Sequence, residues 1–500
     1  MTGKVVIQGL CEPRFEAVKD AFTRNFEEGM EIGASFAVMI DGEYVIDIWG
    51  GYKDKEKTQP WEKDTICNVY STTKVPTVLC TMMCVDRGLL NLDETVATYW
   101  PEFAQNGKEN IKVRHLLSHT SGLAGIEEPI SSRVWYDWAK IISLLAAQKP
   151  WWEPGTKSGY HSATHGFLLG ELVRLVTGKS LGTFFKEEVA QPLNIDFHIG
   201  LAEKNIQRVS VLIPDRLIMK SESLILSYIF NIGNKSKVVR KEIEGLEKVV
   251  LLDYGNKDQF TVLISKGKIN FIPGRIDNTD CSFIVSKDRA RVMNWIFSSI
   301  NDEPDYILKN LKMKGKSEEL DQIKKLFELI AKEAQRLGTV GIKMALRRRF
   351  RDYSGDRDWQ VAEMPASNSH GNARSVAKIA SIIACEGVLD STRLISQETL
   401  EKILEEQIYD NDLVMLYPIR WGLGVSLPTE QRPRPNPRTC FWGGMGGSSI
   451  IMDLDAHIGI SYVMNQMRNQ TMQETAANKY HSDTRGNRLV TAVLESLELI

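Results

Sequence analysis

Three Ser-x-x-Lys tetrads occur in the 500-residue chain, at Ser71–Lys74, Ser265–Lys268 and Ser375–Lys378. A hydroxyl and an amine at i and i+3 share one face of a helix, where the amine can take the hydroxyl's proton and leave a nucleophile. Context separates the three. Ser265 and Lys268 straddle the glycine of a predicted hairpin, and Ser375 and Lys378 open an ordinary helix after the loop Asn368–Arg374. Ser71 instead opens an apolar helix in which Val75, Val78 and Leu79 wall off Lys74 from water. Such desolvation lowers a lysine pKa and makes Lys74 a base for Ser71. The same helix start offers free backbone N–H groups to a developing oxyanion. Taken alone, the tetrad also reads as a Ser/Thr-rich cap with a snorkelling lysine.

Two further features carry chemistry. The loop Pro154–Ser162 (PGTKSGYHS) delivers Tyr160 just before a helix from Thr164, so a phenol can stand in a cleft; a surface-turn tyrosine is the plain alternative. Trp442-Gly443-Gly444-Met445-Gly446-Gly447 precedes a strand at Ser448–Met452. Repeated glycines beside a strand allow a ligand to approach the backbone, or else form a bulge or flexible turn. His119, His161 and His165 invite a Ser-His-Asp arrangement, but a lysine already occupies the base position and His119 lies in a Ser-His-Thr-Ser-Gly turn.

The elements that must position these residues are legible. Ala34–Ile40 and Glu43–Trp49 flank Asp41-Gly42 and read as a hairpin with a primed turn, preceded by a helix over Phe15–Phe26. Ser71–Leu90 predicts a buried helix with Pro76 in its first turns. Residues 111–210 read as helices and loops, with helices over Val113–Leu117, Val134–Ala147, Thr164–Thr177 and Leu181–Glu188. Strands return at Trp421–Ser426, Ser448–Asp453 and Ile458–Val463, and Arg488–Leu499 is an amphipathic helix. This predicts an α/β (α+β) fold: a sheet domain from residues 1–70 and 375–500, and a mainly helical domain from 71–215 and 339–374. Residues 216–338 break the scheme with a helix at Ser221–Ile232, strands at Lys248–Tyr254, Phe260–Ser265, Lys268–Ile272 and Cys281–Val285, and helices at Asp288–Ile300 and Ser317–Gln335. About 120 residues suffice for a separate core, so this stretch reads as an inserted domain.

Composition narrows the function classes. Lys+Arg 62 against Asp+Glu 64 gives a net charge of -2, which argues against nucleic acid as the main partner. No apolar run reaches the roughly 18 to 20 residues of a membrane span, and the first residues lack a cleavable apolar core. The seven scattered cysteines, with Cys80 and Cys84 inside an apolar segment, read as buried thiols rather than disulfide or metal ligands. The expectation is a cytoplasmic chain without metal or cofactor.

Together the three motifs resemble the serine β-lactamase and penicillin-recognising superfamily, specifically its class C β-lactamase-like esterases. The resemblance is carried by Asp64–Lys74, by Val113–Leu123 (VRHLLSHTSGL), by Tyr160, which matches the tyrosine of Tyr-x-Asn, and by Trp442-Gly443-Gly444 where the family has Lys-Thr-Gly or His-x-Gly. It covers about 1–214 and 345–500. It implies a class C β-lactamase-like sheet flanked by helices, Ser71, Lys74 and Tyr160 as catalytic residues, and an oxyanion hole from the backbone N–H groups of Ser71 and Met445. It also implies that His161, Ser162, Trp442, Gly443 and Gly444 line the substrate site. Ser162 stands where the β-lactamases carry Asn, and Trp442 where they carry a cation that binds a carboxylate. An aromatic, neutral wall is similar to the carboxylesterase branch and suits an uncharged ester. The insert, through Val249–Ile272, Cys281–Ile300 and Leu308–Gly315, resembles a sterol-carrier-protein-type domain, which implies a small α+β lipid carrier for a fatty-acyl or other apolar ligand. The expected activity is therefore ester hydrolysis through an acyl-Ser71 intermediate on a small-molecule ester, in a monomer or homo-oligomer. The alternatives are a β-lactamase, a D-amino-peptidase, an acyltransferase, or a lipid-binding scaffold with a vestigial site.

Overall fold

The computed structural model describes residues 5–128, 130–214, 230, 233–234, 236–253, 259–273, 279–284, 312–347, 355–468 and 478–500. The chain divides into two compact units, Met1–Asp215 with Arg351–Ile500, and Arg216–Phe350.

The first unit is a mixed α/β structure built on a six-stranded sheet. Its strands are β1 (Gln8–Cys11), β2 (Gly33–Ile40), β3 (Glu43–Gly51), β4 (Thr439–Gly443), β5 (Ser449–Asp453) and β6 (Ile458–Met464), in the order β1-β3-β2-β6-β5-β4. All neighbours are antiparallel, and the two chain ends meet where β2 pairs β6, Val38 opposite Ile460. Asp41 and Gly42 both sit at positive φ, which the tight β2–β3 turn requires. Seven of the eight β2 residues are buried because both faces of the sheet are covered. Helices α1 (Glu16–Glu27) and α5 (Thr484–Ser496) cover one face, where Val18, Phe22, Phe36, Ile46, Tyr462 and Val493 share one core. Each such side chain contributes about 1.5–3 kcal/mol through burial. Helix α4 (Ala373–Ala384) packs on the other face, its start capped by Asn372 Oδ1 accepting from Ser375 N at 3.0 Å. β4 is the last of the six strands, and on its outer side Ser426 bridges Phe441, each backbone N–H donating to the other's carbonyl at 3.0 Å.

The helical part is organised around α2 (Lys74–Asp86), whose residues from Lys74 to Cys84 are all buried, packed on α3 (Thr164–Thr177). The expected helix start at Ser71 is refined: Tyr70–Thr73 form a tight 3₁₀ turn, and α2 begins at Lys74. The cause is Tyr70, held at φ 43°, which turns the chain sharply out of the short strand Ile66–Asn68. The predicted strand at Trp421–Ser426 is also corrected. The strand is Pro418–Trp421, and Gly422 N bonding Val425 O at 3.0 Å folds the next residues into a turn. The helix from Leu181 runs to Phe185 and continues as a π turn over Lys186–Ala190.

The second unit contains a five-stranded sheet in the order Lys312–Lys314, Cys281–Ile284, Lys248–Asp253, Gln259–Ser265, Lys268–Pro273. Cys281–Ile284 runs parallel to Lys248–Asp253, and every other pairing is antiparallel. Val250, Val262 and Ile264 from the strands and Ile323, Leu326 and Ile330 from the helix Ser317–Arg347 are buried. That helix extends past the expected Gln335 and takes in residues 339–347. The expected helix Asp288–Ile300 lies outside the described residues, as does Ser221–Ile232 apart from Phe230. Among the described residues no helix is long and apolar enough to cross a membrane.

Candidate active site

Ser71 stands on the tight turn between the strand Ile66–Asn68 and α2. The turn is fixed from several sides. Asn68 Oδ1 accepts from Tyr70 N at 3.0 Å, and the Val69 carbonyl accepts both Thr72 N at 3.2 Å and Ser448 Oγ at 2.8 Å. Ser448 Oγ also lies 3.0 Å from Thr72 Oγ1. These contacts tie the turn that carries Ser71 to the residues that follow β4.

Lys74 Nζ lies 3.2 Å from Ser71 Oγ, donates to the Ser162 carbonyl at 2.7 Å and the Ala366 carbonyl at 2.9 Å, and is fully buried. Carbonyls only accept, so two of the lysine's N–H bonds stay committed to them in either charge state. The remaining position faces Ser71. In the ammonium form it donates a third N–H to Oγ; in the amine form it presents the lone pair. The two carbonyls therefore aim Lys74 at Ser71 whether it gives or takes a proton. The second carbonyl is itself held in place: Asn368 Nδ2 donates to the carbonyls of Trp359 and Ala362, both at 2.6 Å, its Oδ1 accepts from Met364 N at 3.0 Å, and Thr77 Oγ1 donates to Pro365 O at 2.5 Å.

Tyr160 is buried on the other side of the amine, with Lys74 Nζ 4.8 Å from its ring centroid. Its backbone N–H donates to Asp412 Oδ1 at 3.0 Å, and Asp412 also accepts from Val414 N at 2.9 Å, Met415 N at 2.8 Å and Trp421 Nε1 at 3.4 Å. Burial pushes the Asp412 carboxyl up from its ordinary value against these donors. Trp421 stacks on Tyr160 at 6.2 Å and 10°. Trp442, half-buried on β4, completes the aromatic group at 5.1 Å from Tyr160 and 4.8 Å from Trp421, and its Nε1 donates to Tyr160 Oη at 3.4 Å.

The glycine turn after β4 lies against the turn that carries Ser71. A Cβ on Gly444 would fall 2.2 Å from both Val69 O and Ser448 Oγ, so only glycine allows the approach. Met445 follows in that turn, while Gly443 is exposed at the end of β4. The turn is held from behind by the fully buried Arg485, which donates to Gly446 O at 3.0 Å and pairs with Asp483 at 2.8 Å and Glu31 at 3.0 Å.

The histidines are placed differently. His161 is buried; its Nδ1 donates to Gly159 O at 2.6 Å, and its Nε2 accepts from Leu123 N at 3.2 Å and Ser121 Oγ at 2.7 Å. Both ring nitrogens brace the loop, so neither is left to hydrogen-bond a substrate. Burial pushes His161 down to about 3, with the Lys74 charge adding to it. His119 and His165, with ring centroids 4.4 Å apart, are pushed well below the ordinary histidine range by burial. Among the described residues no histidine nitrogen hydrogen-bonds Ser71. Ser162 meets Lys74 through its carbonyl, not its buried hydroxyl.

Asn68, Asp412, Ser448 and Arg485 were not singled out in the sequence. Asp412, Ser448 and Arg485 leave no mark in the local residue pattern because each holds a segment far away in the chain, whereas Asn68 holds Tyr70, two residues on. An arrangement of this kind can form an acyl-serine: a hydroxyl with an aimed amine, a phenol beside the amine, and a glycine turn packed against the turn that carries the hydroxyl.

A family model described as Beta-lactamase matches residues 22–215 and 328–482. The chain is 38% identical over 193 residues to the Esterase/beta-lactamase LipL of Mycobacterium tuberculosis, covering 38% of this chain and 44% of that protein. It is 31% identical over 200 residues to Esterase EstB of Burkholderia gladioli, covering 36% and 50%. The chain thus spans about half the length of these relatives. A solved family VIII carboxylesterase is similar with a TM-score of 0.69 and 30% identity, over 98% of this chain and 100% of that one.

Proposed function

The chain belongs to the beta-lactamase family, and on that premise we propose that it is a serine hydrolase that cleaves small-molecule carboxylic esters through an acyl-Ser71 intermediate. The observation that carries the reading is Lys74 Nζ, 3.2 Å from Ser71 Oγ and aimed there by two carbonyls. Ser71 Oγ attacks the ester carbonyl as its proton passes to Lys74. The oxyanion is met by the backbone N–H groups of Ser71 and Met445, the geometry for which the Gly444 contact speaks. Tyr160 protonates the departing alkoxide, and water then attacks the acyl-serine by the reverse proton path. Trp442, in place of a cation, favours an uncharged ester over a carboxylate-bearing β-lactam or peptide.

The unit Arg216–Phe350 extends the proposal to an apolar ligand, as in a sterol-carrier-type domain. The reading is supported by the strand arrangement, an antiparallel meander joined to a parallel fourth strand, and by the buried apolar residues of its sheet and of its long helix. Cys11, Cys67, Cys80, Cys84, Cys385 and Cys440 are free thiols, which supports a reducing, cytoplasmic setting.

Turnover of p-nitrophenyl butyrate by the wild type and by Ser71→Ala tests the activity. The expected result is loss of turnover in the variant, and near-wild-type turnover would end the assignment. Running nitrocefin beside it separates the β-lactamase alternative, which requires the lactam to be the faster substrate. Adding an alcohol and looking for a new ester separates acyl transfer.

A further inference from the structure

We propose that Trp442 is a positioning residue for Tyr160, its indole N–H directing the phenol's proton, and not only a wall for the substrate. This rests on the serine-hydrolase reading above. An indole nitrogen is a donor only, so the 3.4 Å contact from Trp442 Nε1 to Tyr160 Oη makes the phenol oxygen the acceptor. With one lone pair occupied from that side, the phenol's own hydrogen points elsewhere in the cleft.

Both partners are held where this contact needs them. Tyr160 is fixed through its backbone N–H to Asp412 Oδ1 at 3.0 Å. The Trp442 indole packs on Trp421 at 4.8 Å, and Trp421 is fixed through its own N–H to the other oxygen of the same carboxylate at 3.4 Å. One buried acid, Asp412, therefore sets the phenol and, through Trp421, the indole that addresses it. Lys74 Nζ lies 4.8 Å from the phenol ring.

The consequence lies in the step where the leaving group departs. The Ser71 proton has moved to Lys74 as the Ser71 Oγ–carbon bond formed. The carbon–oxygen bond to the leaving group breaks, and the Tyr160 O–H gives its proton to that oxygen, which leaves as the alcohol. The resulting phenolate takes a proton back from the Lys74 ammonium, through the one N–H not committed to a carbonyl, which restores both groups. During that interval the phenolate is stabilised by the Trp442 N–H, a hydrogen bond to a charged group and stronger than one to a neutral phenol. Trp442 thus acts most where the leaving group needs a proton.

The test is a set of butyrate esters sharing one acyl group, from p-nitrophenyl to ethyl, measured with wild type and Trp442→Phe, each with Tyr160 intact and as Tyr160→Phe. The proposal expects Trp442→Phe to lose about 10- to 30-fold in kcat/KM on the ethyl ester and several-fold less on the p-nitrophenyl ester. It also expects no further selective loss on the ethyl ester from Trp442→Phe when Tyr160 is already Phe. Equal losses on both leaving groups, or a Trp442→Phe loss that stays selective for the ethyl ester in the Tyr160→Phe background, overturn it and leave Trp442 a wall. If Trp442→Phe does not fold, site-specific replacement by the benzothienyl analogue, which exchanges the N–H for sulfur in the same shape, makes the same comparison. Failure of the underlying reading is distinct: Ser71→Ala would then turn over every ester like the wild type.

Discussion

Gly444→Ala is expected to damage catalysis far more than folding. The added carbon would stand 2.2 Å from the Val69 carbonyl oxygen and 2.2 Å from Ser448 Oγ. Ordinary carbon–oxygen contacts lie near 3.3 Å, so the turn after β4 and the turn bearing Ser71 must separate by about 1 Å. Ser448 can rotate, but Val69 O is backbone and already accepts two hydrogen bonds, from Thr72 N and Ser448 Oγ, so the glycine turn has to retreat. That turn carries Met445 N, a proposed oxyanion donor. Misplacement by about 1 Å typically costs about 100-fold, and loss of one oxyanion donor about 100- to 1,000-fold, so kcat should fall within that range. Overpacking of one methyl costs about 1–3 kcal/mol of stability, so the variant should remain folded. The assay is kcat and KM on p-nitrophenyl butyrate, with thermal unfolding alongside. The neighbouring Gly443→Ala meets only Ser448 O, at 3.1 Å, and should lose several-fold less. Adding Ser448→Ala to Gly444→Ala should not restore activity, since the Val69 carbonyl is still in the way. A Gly444→Ala enzyme with wild-type kcat, or one rescued by Ser448→Ala, would refute the reasoning.

Lys74→Met should lower kcat/KM by about 10³-fold or more, and cost about 1–3 kcal/mol for each of the Ser162 and Ala366 carbonyls it leaves without this donor; ester kinetics and urea unfolding report the two effects separately. Asp412→Ala removes the acceptor of three backbone N–H groups and should both destabilise the fold by a few kcal/mol and reduce turnover through Tyr160, with Asp412→Asn recovering part of each. Stability should fall as the medium is acidified. His161 and His370 are buried and pushed down to about 3, against about 6.5 in the unfolded chain, so the unfolded state binds protons first. Their contribution is fully present above about pH 6.5 and is lost through the window towards pH 3, by about 2 kcal/mol each by pH 5, which urea titrations at pH 7 and pH 5 would show.

The parts of the fold read correctly from the sequence are those set by local pattern. Asp41-Gly42 between two β-rich runs marks the β2–β3 hairpin, and the apolar run after Lys74 marks a helix buried on every side. The pairing of Ser71 with Lys74 was visible as a spacing, and survives the change from one helix to a 3₁₀ turn followed by α2 because both place i and i+3 together. What aims Lys74 was not visible. The Ser162 and Ala366 carbonyls come from segments 88 and 292 residues away, and a backbone carbonyl leaves no trace in residue type. Asp412 was passed over for a related reason: it sits in an ordinary polar turn, and its burial arises only when Tyr160 and Trp421 close over it. His161 is the converse: in the sequence it stands beside a candidate catalytic tyrosine, and in the structure both its nitrogens are bonded to the loop.

The most direct test of an amine-activated serine is the intact and peptide-level mass of the protein after brief exposure to a fluorophosphonate. A single adduct on the peptide containing Ser71, absent in Ser71→Ala and strongly slowed in Lys74→Met, is the predicted result. An adduct on another residue, or one that forms at Ser71 as fast without Lys74 as with it, would contradict the account.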